Sequence, residues 1–269
     1  MKAGISTASL FLRRDNRQAL ELFNDFSVDT AEVFLTTFLE YEKDFACSLD
    51  RGRVEVNSIH VLNTQYEPQL FATHEKVKAD AYFWLKKALT CAQVLGSKYY
   101  TFHGTARYKL ASRNPCNDNF TKLRKDFAQI AQTCQEYGVT LCLENVEWAT
   151  YNRVGVFEQI ALHVPEMKGV LDVKQARLSG QDYTKYIQEM GNRLAYAHIS
   201  DINEQGKMCL PGKGSFNFDE LILRLKDVGF DGALLIEAYE KDYQKEEELK
   251  ESYDYIKELI YKRNALHKE

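Results

Sequence analysis

The chain has 269 residues, with 35 Lys+Arg against 39 Asp+Glu and a formal charge of −4. A hydrophobic fraction of 45% and a charged fraction of 28% describe ordinary globular composition and exclude disorder and collagen-like repeats. No apolar run reaches the roughly 18–20 residues of a membrane helix, and the mildly acidic balance lacks the basic footprint of nucleic-acid binders. The opening Met1-Lys2-Ala3-Gly4-Ile5-Ser6-Thr7 is too polar for a secretory leader. Six scattered cysteines (Cys47, Cys91, Cys116, Cys134, Cys142, Cys209) form no C-x-x-C pair and are expected to be buried free thiols of a reducing cytoplasm.

Eight short runs read as strands: 3–6, 31–35, 54–61, 98–103, 139–144, 169–172, 194–200 and 233–237. Helical periodicity fills the intervals. Over 73–95, Val77, Ala81, Trp84, Leu85 and Ala88 share a face and Gly96 ends the pattern. Over 117–137, Phe120, Leu123, Phe127, Ile130, Cys134 and Tyr137 recur at steps of three and four, with Asn117 or Asp118 as cap and Gly138 as the left-handed stop. Asn217-Phe218-Asp219-Glu220 is a variant capping box opening a helix that carries Leu221, Leu225 and Val228. The tail over 243–262 turns Leu249, Tyr253, Ile256 and Ile260 inward.

Strand and helix therefore alternate through the whole chain, which means βαβ units and a parallel sheet. Eight units in 269 residues, about 34 each, predict a (β/α)₈ TIM barrel forming one domain over 1–269. An open doubly wound sheet would show a Gly-rich phosphate loop after its first strand, where this chain has Ser6-Thr7-Ala8-Ser9.

In a barrel, the C-terminal strand ends carry the chemistry. The third to eighth runs end near His60, His103, Glu144, Asp172, His198 and Glu237. Taken singly, each such residue is more often a strand reaching water. Jointly, Glu144, Asp172, His198 and Glu237 would converge from four adjacent strands, and three carboxylates so placed repel unless a cation neutralises them. Three oxygens and one imidazole suit Mn²⁺ first, and also Co²⁺, Mg²⁺ or Zn²⁺.

The stretches Leu143-Glu144-Asn145, Leu171-Asp172-Val173-Lys174-Gln175-Ala176, His198-Ile199-Ser200-Asp201, Pro211-Gly212-Lys213-Gly214 and the run 232–237 ending at Glu237 lie in order over the last four strands. In this the chain resembles the xylose-isomerase-like barrel superfamily of ketose 3-epimerases, inosose dehydratases, hydroxypyruvate isomerases and apurinic endonucleases, and among them the sugar phosphate isomerase/epimerases. The resemblance implies one divalent metal on Glu144, Asp172, His198 and Glu237, with Glu144 and Glu237 as a proton-transferring pair across a small keto-sugar or sugar phosphate. It places His60 and His103 at substrate hydroxyls.

Several positions depart from the pattern. Gln175 stands where much of the family has a His; it can hydrogen-bond a hydroxyl but is a poor ligand. The Asp-x-His expected before the Gly-x-Gly loop of the trinuclear endonucleases is replaced by Gly206-Lys207-Met208-Cys209-Leu210-Pro211. Lys213, between two glycines, reads either as a phosphate contact or as a solvated turn, and Trp148 either as a sugar-stacking platform or as loop packing. The leading expectation is a cytoplasmic isomerase or epimerase with a small-molecule sugar partner, no nucleic acid and no membrane, homo-oligomerisation being left open. A dehydratase using the same metal is the alternative enzyme, and a non-catalytic sugar-binding barrel the alternative class. Duplex DNA carrying an abasic site should not be incised. Metal-dependent incision that disappears in Glu144→Gln would restore the endonuclease reading.

Overall fold

Period-two alternation lets both phases of each strand find a buried environment. In the computed structural model, which describes residues 1–105 and 118–265, the barrel strands are β1 (Lys2–Ser6), β2 (Thr30–Leu35), β3 (Glu55–Val61), β4 (Tyr99–Phe102), β5 (Thr140–Glu144), β6 (Lys168–Asp172), β7 (Leu194–Ile199) and β8 (Ala233–Ile236). They agree with the predicted runs to within one residue at either end. All pair in parallel in chain order, and β8 closes back on β1. The result is a (β/α)₈ TIM barrel.

One phase faces the helices: Ala31, Val33, Leu35, Ile59, Val61, Tyr100 and Phe102 belong to the large core between sheet and helices. The other phase fills the barrel in levels. Tyr99, Cys142, Val170, Tyr196, Ala233 and Leu235 pack into a lower plug. Above them the hydroxyls of Ser6, Ser58 and Thr101 surround the Glu32 carboxylate. Two residues further along their strands stand His60, His103, Glu144, Asp172, His198 and Glu237. Asp172 and His198 are register partners on β6 and β7. β4 stops one residue before His103 and β8 one before Glu237. The Glu237 amide nevertheless bonds the Ile199 carbonyl at 3.0 Å, so the ladder still holds it.

The helices follow their caps. Asp15 accepts from the Gln18 amide and closes a capping box on Asn16–Asp25. Gly96, at φ 71°, ends Glu75–Leu95. Asn217 accepts from the Glu220 amide at 3.0 Å to start Phe218–Asp227. Three expectations are corrected. Val77 is exposed, because it sits in the first turn of its helix, before Ala81 begins the buried stripe. The last helix begins at Glu247, not 243. The Arg13 guanidinium takes the carbonyls of Glu240, Tyr243 and Gln244, which fixes that segment as a turn. Cys47 is exposed, unlike Cys91, Cys134, Cys142 and Cys209. Cys116, the proposed cap Asn117 and the Phe120 side chain fall outside the described residues. No described helix is long and apolar enough to cross a membrane.

Gly4 marks a tight seam of the barrel. A Cβ there would lie 2.4 Å from the Thr30 carbonyl oxygen and 2.6 Å from a Leu235 methyl carbon. Gly4→Ala should destabilise by about 1–3 kcal/mol, lowering Tm by roughly 3–9 °C in calorimetry. An unchanged Tm would show that β1 and β2 can separate without cost.

Candidate active site

The floor of the barrel mouth is Glu32, fully buried on β2. Its carboxylate accepts from Ser6 Oγ at 3.0 Å, Ser58 Oγ at 2.8 Å and Thr101 Oγ1 at 2.5 Å. From there two acids and three imidazoles form a closed ring. Glu32 Oε1 lies 3.1 Å from His198 Nε2, and His198 Nδ1 is 2.9 Å from Glu144 Oε1. Glu144 Oε2 is 2.9 Å from His103 Nε2, which meets His60 Nε2 at 3.1 Å. His60 Nδ1 returns to Glu32 at 3.4 Å. Glu67 braces the ring from outside: its Oε2 accepts from the His103 amide at 3.2 Å and its Oε1 from the Tyr100 hydroxyl at 2.8 Å.

Glu144, Asp172, His198 and Glu237 meet on the cavity side of this ring. Their ligand atoms all lie within 4.8 Å of one another and all four residues are buried. Asn145 locks two of the strands together, accepting from the Asp172 amide at 2.7 Å and donating to its carbonyl at 2.9 Å. Asp172 Oδ1 is spent as the N-cap of Val173–Leu178, taking the Gln175 amide at 2.8 Å; its Oδ2 faces Lys174. That buried lysine lies 3.8 Å from Asp172 Oδ2 and 3.9 Å from Glu237 Oε2.

Burial opposes charge on Glu32, Glu144, Asp172, His103 and His198, and neighbouring charges oppose or reinforce it. Burial pushes Glu32 and Glu144 up, yet the imidazoles, His198 foremost, hold both carboxyls below the usual range. Burial pushes Asp172 up to about 7; Lys174 opposes the rise, and Glu144 and Glu237 reinforce it. Burial lowers His103, but Glu144 and Glu67 lift it to about 10. His198 is likewise lifted well above its ordinary value by Glu32, Glu237 and Glu144.

The residues fit a divalent cation. Glu144 Oε2 is a buried carboxylate oxygen without a hydrogen bond, although His103 Nε2 stands 2.9 Å away. Three carboxylates and one imidazole nitrogen share a small space, a donor set for Mn²⁺, Mg²⁺, Co²⁺ or Zn²⁺. Glu32 Oε1 stands 3.1 Å from His198 Nε2, close enough for its charge to orient the imidazole although no hydrogen bond is formed, and His198 Nδ1 faces the cup. Two overlapping sets, His60–His103–Glu144 and Glu32–His60–Glu237, also lie within 4.8 Å, but each offers only three donors.

The cavity above the cup has a volume of about 210 Å³. His60, His103, Gln175 and Trp148 line it, with Phe11 and Phe34 on an apolar wall. Trp148 is 40% exposed, with its ring 5.4 Å from that of His103. Gln175 also holds the loop bearing Trp148, accepting from the Glu147 amide at 3.2 Å. Lys213 is elsewhere: it is exposed, pairs with Glu251 at 2.5 Å and does not line this cavity. The Asp201 carboxylate accepts from the amides of Ile202, Gly212, Gly214 and Phe216, so the protein's own anion fills the loop that one of the two readings gave to a phosphate. Glu32, Glu67 and Lys174 were not singled out in the sequence. Glu32 had a signal, an acid inside the apolar run 31–35, whereas Glu67 sits in a loop with none.

A sequence model of the family described as the xylose isomerase-like TIM barrel matches residues 18–259. An uncharacterized protein of Methanocaldococcus jannaschii is 23% identical over 284 residues, covering 99% of this chain and 94% of the relative. Three solved structures share the fold. A D-tagatose 3-epimerase-like protein superposes with TM-score 0.77 at 18% identity, covering 98% of this chain and 99% of its own. D-psicose 3-epimerase from Clostridium cellulolyticum H10 gives 0.77 at 15% identity, covering 97% and 99%. The IOLI protein, solved with a zinc atom, gives 0.75 at 18% identity, covering 97% and 99%.

Titration of metal-stripped protein with Mn²⁺, followed by calorimetry, should show one tight site. Asp172→Asn and Glu237→Gln should each weaken it by more than tenfold, and Glu32→Gln by about 10–100-fold through the loss of imidazole orientation. Unchanged affinity in Asp172→Asn and Glu237→Gln would separate the cup from metal binding.

Proposed function

Because the chain belongs to the xylose isomerase-like TIM-barrel family, we propose that it is a divalent-metal-dependent isomerase or epimerase of a small keto-sugar or its phosphate, working through an enediolate. The observation that carries this reading is the convergence of Glu144, Asp172, His198 and Glu237 under an open cavity. The zinc atom of the IOLI structure and the 3-epimerases among the structural neighbours support it.

A divalent ion in the cup would supply the Lewis acid that polarises the substrate carbonyl and acidifies the adjacent C–H. The chain's own groups do the rest. Glu144 and Glu237 sit on strands three apart in the barrel order, so they approach the cavity from different directions. One removes the proton from the carbon next to the carbonyl; the same or the other returns it, and the face of return sets the product. His103 and His60 offer ring nitrogens to substrate hydroxyls from the cavity wall. Phe34 packs on His60 and Trp148 on His103, and with Phe11 these rings line the same cavity and shield it from water.

A ketose panel incubated in D₂O with Mn²⁺ tests this. Deuterium should enter the carbon next to the carbonyl, read by mass spectrometry and NMR. Glu144→Gln and Glu237→Gln should each lower turnover by about 10²–10⁴-fold or more, with bound metal measured alongside. Metal-loaded Glu237→Gln turning over at the wild-type rate would defeat the acid–base pair. An enone product would move the assignment to a dehydratase.

A further inference from the structure

Lys174 follows the capping residue Asp172 by two positions, and the first turn of Val173–Leu178 turns its side chain toward the barrel mouth. It is 4% exposed and lines the same cavity as Glu144, Asp172 and Glu237. The ammonium lies 4.3 Å from the centre of the Tyr239 ring, on its face. Its distances to Asp172 Oδ2 and Glu237 Oε2, 3.8 and 3.9 Å, exceed by about 1 Å the 2.7–2.9 Å of a charge-assisted hydrogen bond. A lysine whose task is to hold a carboxylate closes that gap, as Lys78 does on Asp126 at 2.6 Å. Lys174 stands off both acids while remaining buried at the cavity wall.

Charge explains why a cation is kept there. Three carboxylates facing one divalent ion leave a single negative charge, and Lys174 cancels it. A cup that is neutral when loaded can accept new negative charge on a substrate oxygen, which an ion already satisfied by three carboxylates stabilises less.

We propose that Lys174 is a catalytic residue: its ammonium donates to the anionic oxygen that develops as the substrate is deprotonated in the cup, so the site is built for an enediolate rather than for a neutral sugar alone. This rests on the metal-dependent reading above. The donor is supplied by the chain, is buried before substrate arrives, and sits within reach of an oxygen placed beside Asp172 and Glu237.

The test compares wild type, Lys174→Met and Lys174→Arg by calorimetry. Mn²⁺ is titrated first. Oxalate follows, as a planar analogue with two adjacent anionic oxygens, and then dihydroxyacetone as a neutral competitor. Lys174→Met should bind Mn²⁺ as tightly as wild type or more tightly, because a positive charge near the ion is gone. It should lose about tenfold or more in oxalate affinity, with dihydroxyacetone changed far less, and Lys174→Arg should recover part of the loss. Lys174→Gln carries the same comparison if Lys174→Met does not fold. Equal oxalate affinity with and without the lysine, or equal losses for oxalate and dihydroxyacetone, overturns the assignment while leaving the metal reading intact. A joint loss of Mn²⁺ and oxalate binding means that Lys174 merely props up the two acids, and also overturns it. Wild type that binds no divalent ion overturns the functional reading and this one with it.

Discussion

Carboxylates buried at this density have to be neutralised by their neighbours, and the barrel mouth is arranged around that requirement. Two like charges 4 Å apart repel by about 4 kcal/mol at the effective dielectric typical of proteins. Glu32, Glu67, Glu144, Asp172 and Glu237 are all buried. Against them stand His60, His103, His198 and Lys174, also buried, together with the hydroxyls on Glu32. Each imidazole stands beside at least one acid, and removing one member exposes the charge of the next. The ring His103–Glu144–His198–Glu32–His60 is thus a single electrostatic unit rather than five side chains.

Much of this was legible in the sequence. The strand ends at His60, Glu144, Asp172 and His198 follow from where apolar runs meet a polar residue, and parallel closure aligns those ends on one rim. The signal at Glu32 pointed the wrong way, for a physical reason. In an amphipathic strand, an acid between Ala31 and Val33 reads as the solvent side. Only closure of the sheet turns that side inward, where Ser58 and Thr101 can donate to it. Glu67 reaches the ring from a short 3₁₀ turn, Glu67–Phe71, whose position depends on tertiary contacts that no local pattern encodes.

The Gly212-Lys213-Gly214 loop shows how composition can mislead about ligands. Glycines flanking a lysine, placed after the seventh strand, match what an anion site needs, because free amides attract negative charge. Here the amides of Gly212 and Gly214 already bond Asp201, at 3.0 and 2.9 Å. Of the two readings of this loop, the solvated turn is the one that fits, and the anion its amides hold is a side chain of the same polypeptide. Lys213, left outside, pairs with Glu251 across the surface, where an exposed ion pair contributes little.

The same reasoning explains why the barrel keeps charges where apolar residues would pack. The lower level shows what the fold does by default: Cys142, Val170, Tyr196 and Leu235 fill it with hydrophobic contact. Two residues along the same strands the inward positions become Glu144, Asp172, His198 and Glu237. Buried ion pairs rarely add net stability over apolar side chains of similar size, so the upper level is poorly accounted for by stability. It is better accounted for by preorganisation. With Glu32 set beside His198, and Asn145 tying β5 to Asp172, the cup holds its shape before any ligand arrives. In the reaction proposed above, charge developing on a substrate would meet dipoles and cations already in place, and little reorganisation would be left for the moment of reaction.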